Sequence, residues 1–141
     1  GMEVVVVTVN NTNDVQQAMA SLVLDCDAIY IPTDNTLASA MPIVYEEAVK
    51  AGVPVVAGDT NMVRQGGNFT LGVDYYKLGE QTGHMAARLL RGEAEISTMP
   101  IERQEELTYY INKTACDAMG IEIPEDLLPY AEETLVGQSA P

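Results

Sequence analysis

Histidine, cysteine and basic side chains are scarce in this 141-residue chain, and each shortage removes a class of chemistry. One histidine, His84, leaves a zinc centre or a histidine-based triad with a single imidazole. Cys26 and Cys116 lie far apart and form no CxxC pair, so both read as small buried or half-buried thiols rather than disulfide or metal partners. Lys and Arg number 7 against 21 Asp and Glu, and the resulting charge of −14 repels nucleic-acid phosphates and anionic membranes. No stretch approaches the ~20 apolar residues of a membrane span, and the N-terminus lacks the pattern of a signal peptide. "GMEVVVV" runs directly into a strand, as a mature piece, a fragment or a shortened reading frame would. The glycine-rich phosphate motifs and the G-x-S-x-G nucleophile turn are absent too.

What is present is a regular alternation. The β-branched run 3–9, "EVVVVTV", predicts a strand buried on both faces of a parallel sheet. Asn13 with Gln16 reads as a capping box, and Val15, Ala18, Met19, Leu22 and Val23 give a helix over 14–24. Strand 28–31 ends at Pro32. Asn35 or Thr36 should cap a helix with Leu37, Met41, Val44, Tyr45 and Ala48 on its apolar face, which Pro42 kinks or restarts and Gly52 closes. Strand 53–57, one helical turn in "GDTNMVRQGG", and strand 69–73 follow.

Asp74 caps a long helix with Leu78, Met85, Leu89 and Leu90 inward and Gly92 at its end. Gly79 and Gly83 lie one turn apart on it, each costing about 1 kcal/mol of helix propensity, so close backbone packing is expected there. A strand at 107–111 and a short helix through Met119 complete the regular part. Short links between strands and helices imply an α/β fold: a doubly wound, mainly parallel sheet with helices on both faces. Residues 2–131 are expected to form one folded unit and 132–141 a flexible tail.

Three strands end in "PTDN", "GDT" and "VDYY". In parallel sheets the carboxyl ends of successive strands converge on the edge where ligands bind, and helix N-termini open there with free N–H groups. Asp, Asn and Thr are also the preferred helix caps, and for Asp74 alone a cap suffices. Three carboxylates with polar neighbours exceed that need, and they suit a ligand ammonium better than catalysis.

"DAIYIPTDNTLASA", "GVPVVAGDTNMVRQGG" and "TLGVDYYKLGEQTGHMAARLLRGE" together resemble the second, C-terminal lobe of an ABC-transporter substrate-binding protein, periplasmic-binding-protein type I-like, in the family that includes aromatic amino-acid binders. The resemblance runs from Val4 to about Ala131. It implies a non-enzymatic protein without cofactor or metal, binding an amino-acid-like molecule between two lobes and delivering it to an ABC permease outside the cytoplasm. Carried over by motif, the ligand-binding residues are Thr33, Asp34 and Asn35, then Asp59 and Thr60, then Asp74 and Tyr75. Asp59 is the first choice for the ammonium, because no regular helix cap is needed at that position.

Family members usually carry a further strand and helix before the segment matching 3–9, and that strand would lie centrally, between 3–9 and 28–31. An empty slot there exposes two strand edges, so a homodimer is expected, by docking cleft faces or exchanging a segment such as 101–141. Direct pairing of 3–9 with 28–31 is the monomeric alternative. Two other functions remain open: the effector-sensing domain of a transcription regulator, which an upstream helix-turn-helix would mark, and a small metal-dependent α/β enzyme.

Overall fold

The computed structural model describes residues 1–104 and 106–134. Five strands form one sheet in chain order: β1 (Ile29–Ile31), β2 (Val55–Ala57), β3 (Phe69–Gly72), β4 (Thr108–Asn112) and β5 (Ala131–Glu132). The first three are parallel, β4 turns antiparallel to β3, and β5 runs parallel with β4. The helices are α1 (Thr12–Asp25), α2 (Asn35–Ser39), α3 (Met41–Ala51), α4 (Thr60–Arg64), α5 (Tyr75–Leu90) and α6 (Lys113–Met119). The architecture is thus the expected α/β one, with a mostly parallel sheet.

Alternation along the strands builds the core. Ile29, Ile31, Val55 and Ala57 point to one face, where they meet Val15 and Met19 of α1 and Met41, Val44 and Ala48 of α3. Residues of opposite parity face the other way, and there Tyr30, Val56, Leu71 and Tyr109 stay exposed. Helices were expected on both faces; the cover over this second face is partial. Pro42 restarts the helix: α2 stops at Ser39, and α3 begins with Pro42 in its first turn, where its missing N–H costs no bond. Gly52 closes α3 at φ 69°, a left-handed turn that favours glycine.

Several expectations need correction. Residues 3–9 lie outside every strand, and Val4 and Val6 are 78% and 82% exposed. A strand requires a ladder, and among the described residues nothing pairs with the outer edge of β1; neither does 3–9 close onto it directly. The cap of α1 is Asn11, whose side chain accepts from the Asn13 N–H, while Asp14 accepts from the Asn10 N–H. The cap therefore sits two residues earlier than the Asn13–Gln16 pair, and Asp14 reaches back past it to Asn10.

On α5, Leu78, Met85 and Leu89 are only half-buried and Leu90 is exposed. Gly79 and Gly83 face open space rather than another backbone. The segment from 132 is held at its start: Glu132 belongs to β5, and the Thr134 N–H donates to Thr114 Oγ1 at 3.2 Å. Residues 135–141 of the expected tail lie outside the described residues.

Candidate functional site

The carboxyl ends of β1, β2 and β3 meet at one edge of the sheet, and the loops leaving them touch in sequence. Gly58 follows β2, and a Cβ there would lie 2.5 Å from both the backbone N and Oγ1 of Thr33. Gly72 ends β3, and a Cβ there would lie 2.5 Å from Gly58 O and Thr70 Oγ1. Beyond them Asp59 bridges Val73 in parallel, with Thr60 N–H donating to Val73 O at 3.4 Å. Two missing side chains thus draw the three loops together. Sequence reasoning overlooked both glycines, although "AGDT" and "TLGVD" place each where a strand gives way to its acidic loop.

Each loop then starts a helix through its aspartate. Asp34 Oδ1 accepts from Thr36 N–H at 2.8 Å and Leu37 N–H at 3.0 Å. Asp59 Oδ1 accepts from Met62 N–H at 3.0 Å. Asp74 Oδ1 accepts from Tyr76 N–H at 2.9 Å and Lys77 N–H at 3.3 Å. Asp59 therefore caps α4, which corrects the reason given for preferring it: the turn after Gly58 becomes a helix and needs its first donors satisfied. All three caps use Oδ1, so Oδ2 remains outside the cap.

The seven residues named from the sequence fall on this edge in unequal settings. Thr33, Asp34 and Asn35 are exposed, Asp74 is half-buried, and Tyr75 is 46% exposed, a surface side chain rather than core. Asp59 and Thr60 are each only 3% exposed. An aspartate so enclosed is a strong point for a cationic partner, since little water screens it. Among the described residues no three Asp, Glu, His or Cys side chains gather as a metal requires.

Gln104 is a further residue of the edge that the sequence did not mark. Its Oε1 accepts from Asp74 N–H at 3.1 Å, bringing the irregular segment after α5 back to β3. Lys77, Gln81, Glu102, Gln104 and Glu106 line a shallow groove of about 300 Å³ beside it. None of the seven named residues lines that groove. Arg88 pairs with Glu102, and this hydrogen bond, with a second from Gln81, holds the Glu102 carboxyl below the usual range. His84 is exposed. Cys116 is buried, its thiol pushed up by burial, and Cys26 is half-buried; both are free.

The family description "ABC transporter substrate binding protein" matches residues 1–135. The tyrosine-binding protein of Clostridioides difficile is 32% identical over 139 residues, covering 98% of this chain and 40% of that protein. A Streptococcus pneumonia ABC domain solved in complex with L-Trp superposes with a TM-score of 0.75 at 31% identity, over 90% of this chain and 43% of the other. The ligand-free, open structure of a Clostridium difficile substrate binding protein with adhesive properties gives 0.70 at 35% identity, over 90% and 43%. The chain spans about two fifths of the relatives it matches.

Proposed function

The chain belongs to the ABC transporter substrate binding protein family, and on that premise we propose that it supplies one lobe of a solute-binding component of an ABC importer. The Thr33–Gly58–Asp59–Val73 edge is half of an interlobe cleft for an amino-acid-like molecule. Asp59 receives the ligand ammonium, Thr33, Asn35 and Thr60 add hydroxyl and amide partners, and Tyr75 offers a ring at the rim. The cleft closes by hinge motion, and the loaded protein meets a permease outside the cytoplasm. The same reading holds the protein to be a homodimer and not an enzyme.

The observation that carries this reading is the convergence of three capped strand ends around one enclosed carboxylate. Relatives described as tyrosine-binding, or solved with L-Trp, support an amino acid as the ligand.

Saturation-transfer NMR with millimolar L-tyrosine or L-tryptophan tests it. Contact with the amino acids and none with a neutral sugar is expected, at weak affinity, because this chain spans only about two fifths of its relatives' length. Asp59→Asn keeps a cap acceptor but removes the charge, and it should abolish the contact while leaving the melting temperature close to wild type. Absence of contact with either amino acid contradicts the assignment. A low-micromolar Kd for this chain alone contradicts the half-cleft.

A further inference from the structure

One buried hydroxyl behind the aspartate edge is unsatisfied. Thr70 lies within β3, paired opposite Tyr110 of β4, and the register of Val56 with Phe69 sets it level with Ala57 of β2. Alternation turns its side chain to the face that carries Val55 and Ala57, where it is 3% exposed. Among the described residues its Oγ1 is the one buried side-chain nitrogen or oxygen without a hydrogen-bond partner. Buried hydroxyls are ordinarily paired, because each brings one donor and two acceptor sites out of water. An acceptor stands across a narrow gap. A Cβ on Gly72 would lie 2.5 Å from both Thr70 Oγ1 and the Gly58 carbonyl oxygen, so the bare Cα of Gly72 leaves the two oxygens as neighbours.

That carbonyl belongs to the peptide group linking Gly58 to Asp59, the enclosed carboxylate of the proposed cleft. Thr70 is held between two strands, whereas Gly58 lies in the turn from β2 to α4, so the peptide is the freer partner. We propose that Thr70 is a positioning residue for ligand binding: its hydroxyl, unpaired in this structure, donates to the Gly58 carbonyl when the Gly58–Asp59 peptide settles on a bound amino acid. Thr70 then acts through Asp59 and touches no ligand, a role that rests on the reading of Asp59 as the ammonium partner. Ala57 in β2 on one side and the hydrogen bond from Thr60 N–H to Val73 O on the other confine the movement to the peptides between them. A bond made in the loaded arrangement alone widens the free-energy difference between the two arrangements, and that difference tightens binding.

Thr70→Val, which removes the hydroxyl at nearly constant shape, and Thr70→Ser, which keeps it, test this in NMR titrations with L-tyrosine. Thr70→Val should raise the Kd about three- to tenfold, the scale of one net hydrogen bond, and Thr70→Ser should stay near wild type. The Gly58 carbonyl carbon should move downfield on adding L-tyrosine to wild type and Thr70→Ser, and stay in place in Thr70→Val. Without the amino acid, Thr70→Val should melt no lower than Thr70→Ser, because the hydroxyl it lacks had no partner to lose. An unchanged Kd in Thr70→Val overturns the proposal, as does a Gly58 carbonyl shift that survives loss of the hydroxyl. So does a Thr70→Val that melts below Thr70→Ser, since the hydroxyl would then be paired in the protein alone. A wild type that contacts neither L-tyrosine nor L-tryptophan fails earlier: it overturns the cleft assignment, and the role of Thr70 with it.

Discussion

α3 and α5 carry equally regular apolar stripes and meet opposite fates. α3 buries Met41, Val44 and Ala48 completely against β1, β2 and α1, whereas the longer α5 has no buried residue. The difference lies outside both helices. Periodicity at 3.6 residues defines which face is apolar, while the partner for that face must come from elsewhere in the fold. α3 finds it in the β1–β2 crossover; α5 meets an irregular segment tied to it by Gln81, Arg88 and Glu102.

The sharpest way to break that contrast is truncation on both helices. Met41→Ala should cost about 2–5 kcal/mol in chemical denaturation, the range for emptying a fully packed site. Leu90→Ala, at 89% exposure, should stay within about 0.5 kcal/mol of wild type. Equal losses would mean that α5 is packed in solution.

Glycine substitutions sharpen the same comparison with smaller effects of opposite sign. Gly58→Ala drives a methyl into Thr33 backbone and should destabilise by about 1–3 kcal/mol. Gly79→Ala enters open space on α5 and should stabilise by up to about 1 kcal/mol through helix propensity. Thermal unfolding of the two variants side by side checks both signs.

The smallest effect concerns pH. Hydrogen bonds from Arg88 and Gln81 lower the Glu102 carboxyl, so their contribution is present above the ordinary glutamate range and is lost as pH falls through the depressed folded value. A carbon-detected NMR titration of that carboxyl should show the depression, and Arg88→Ala should move it back up.

The buried half of the fold was legible because its signals are local. Pro42, Gly52 and the alternation in 28–31 and 53–57 act within a few residues, and the structure places each element within one or two residues of expectation. The three aspartates at strand ends were legible for the same reason. Residues 3–9 were misread because β-branching reports only a readiness to be a strand, and the ladder depends on a neighbour that local sequence does not encode. Asp59 was misjudged because α4 is five residues long, too short to show a period. Gln104 was invisible, since it reaches Asp74 across 30 positions with no motif around it.

The account rests on the carboxyl edge of β1–β3 as the ligand surface, and an amide chemical-shift map with millimolar L-tyrosine or L-tryptophan tests it most directly. The account predicts that the largest shifts fall together at Thr33–Asn35, Asp59–Thr60 and Asp74–Tyr75. Shifts confined to the groove of Lys77, Gln81 and Glu106, or to the opposite edge of the sheet, would contradict it.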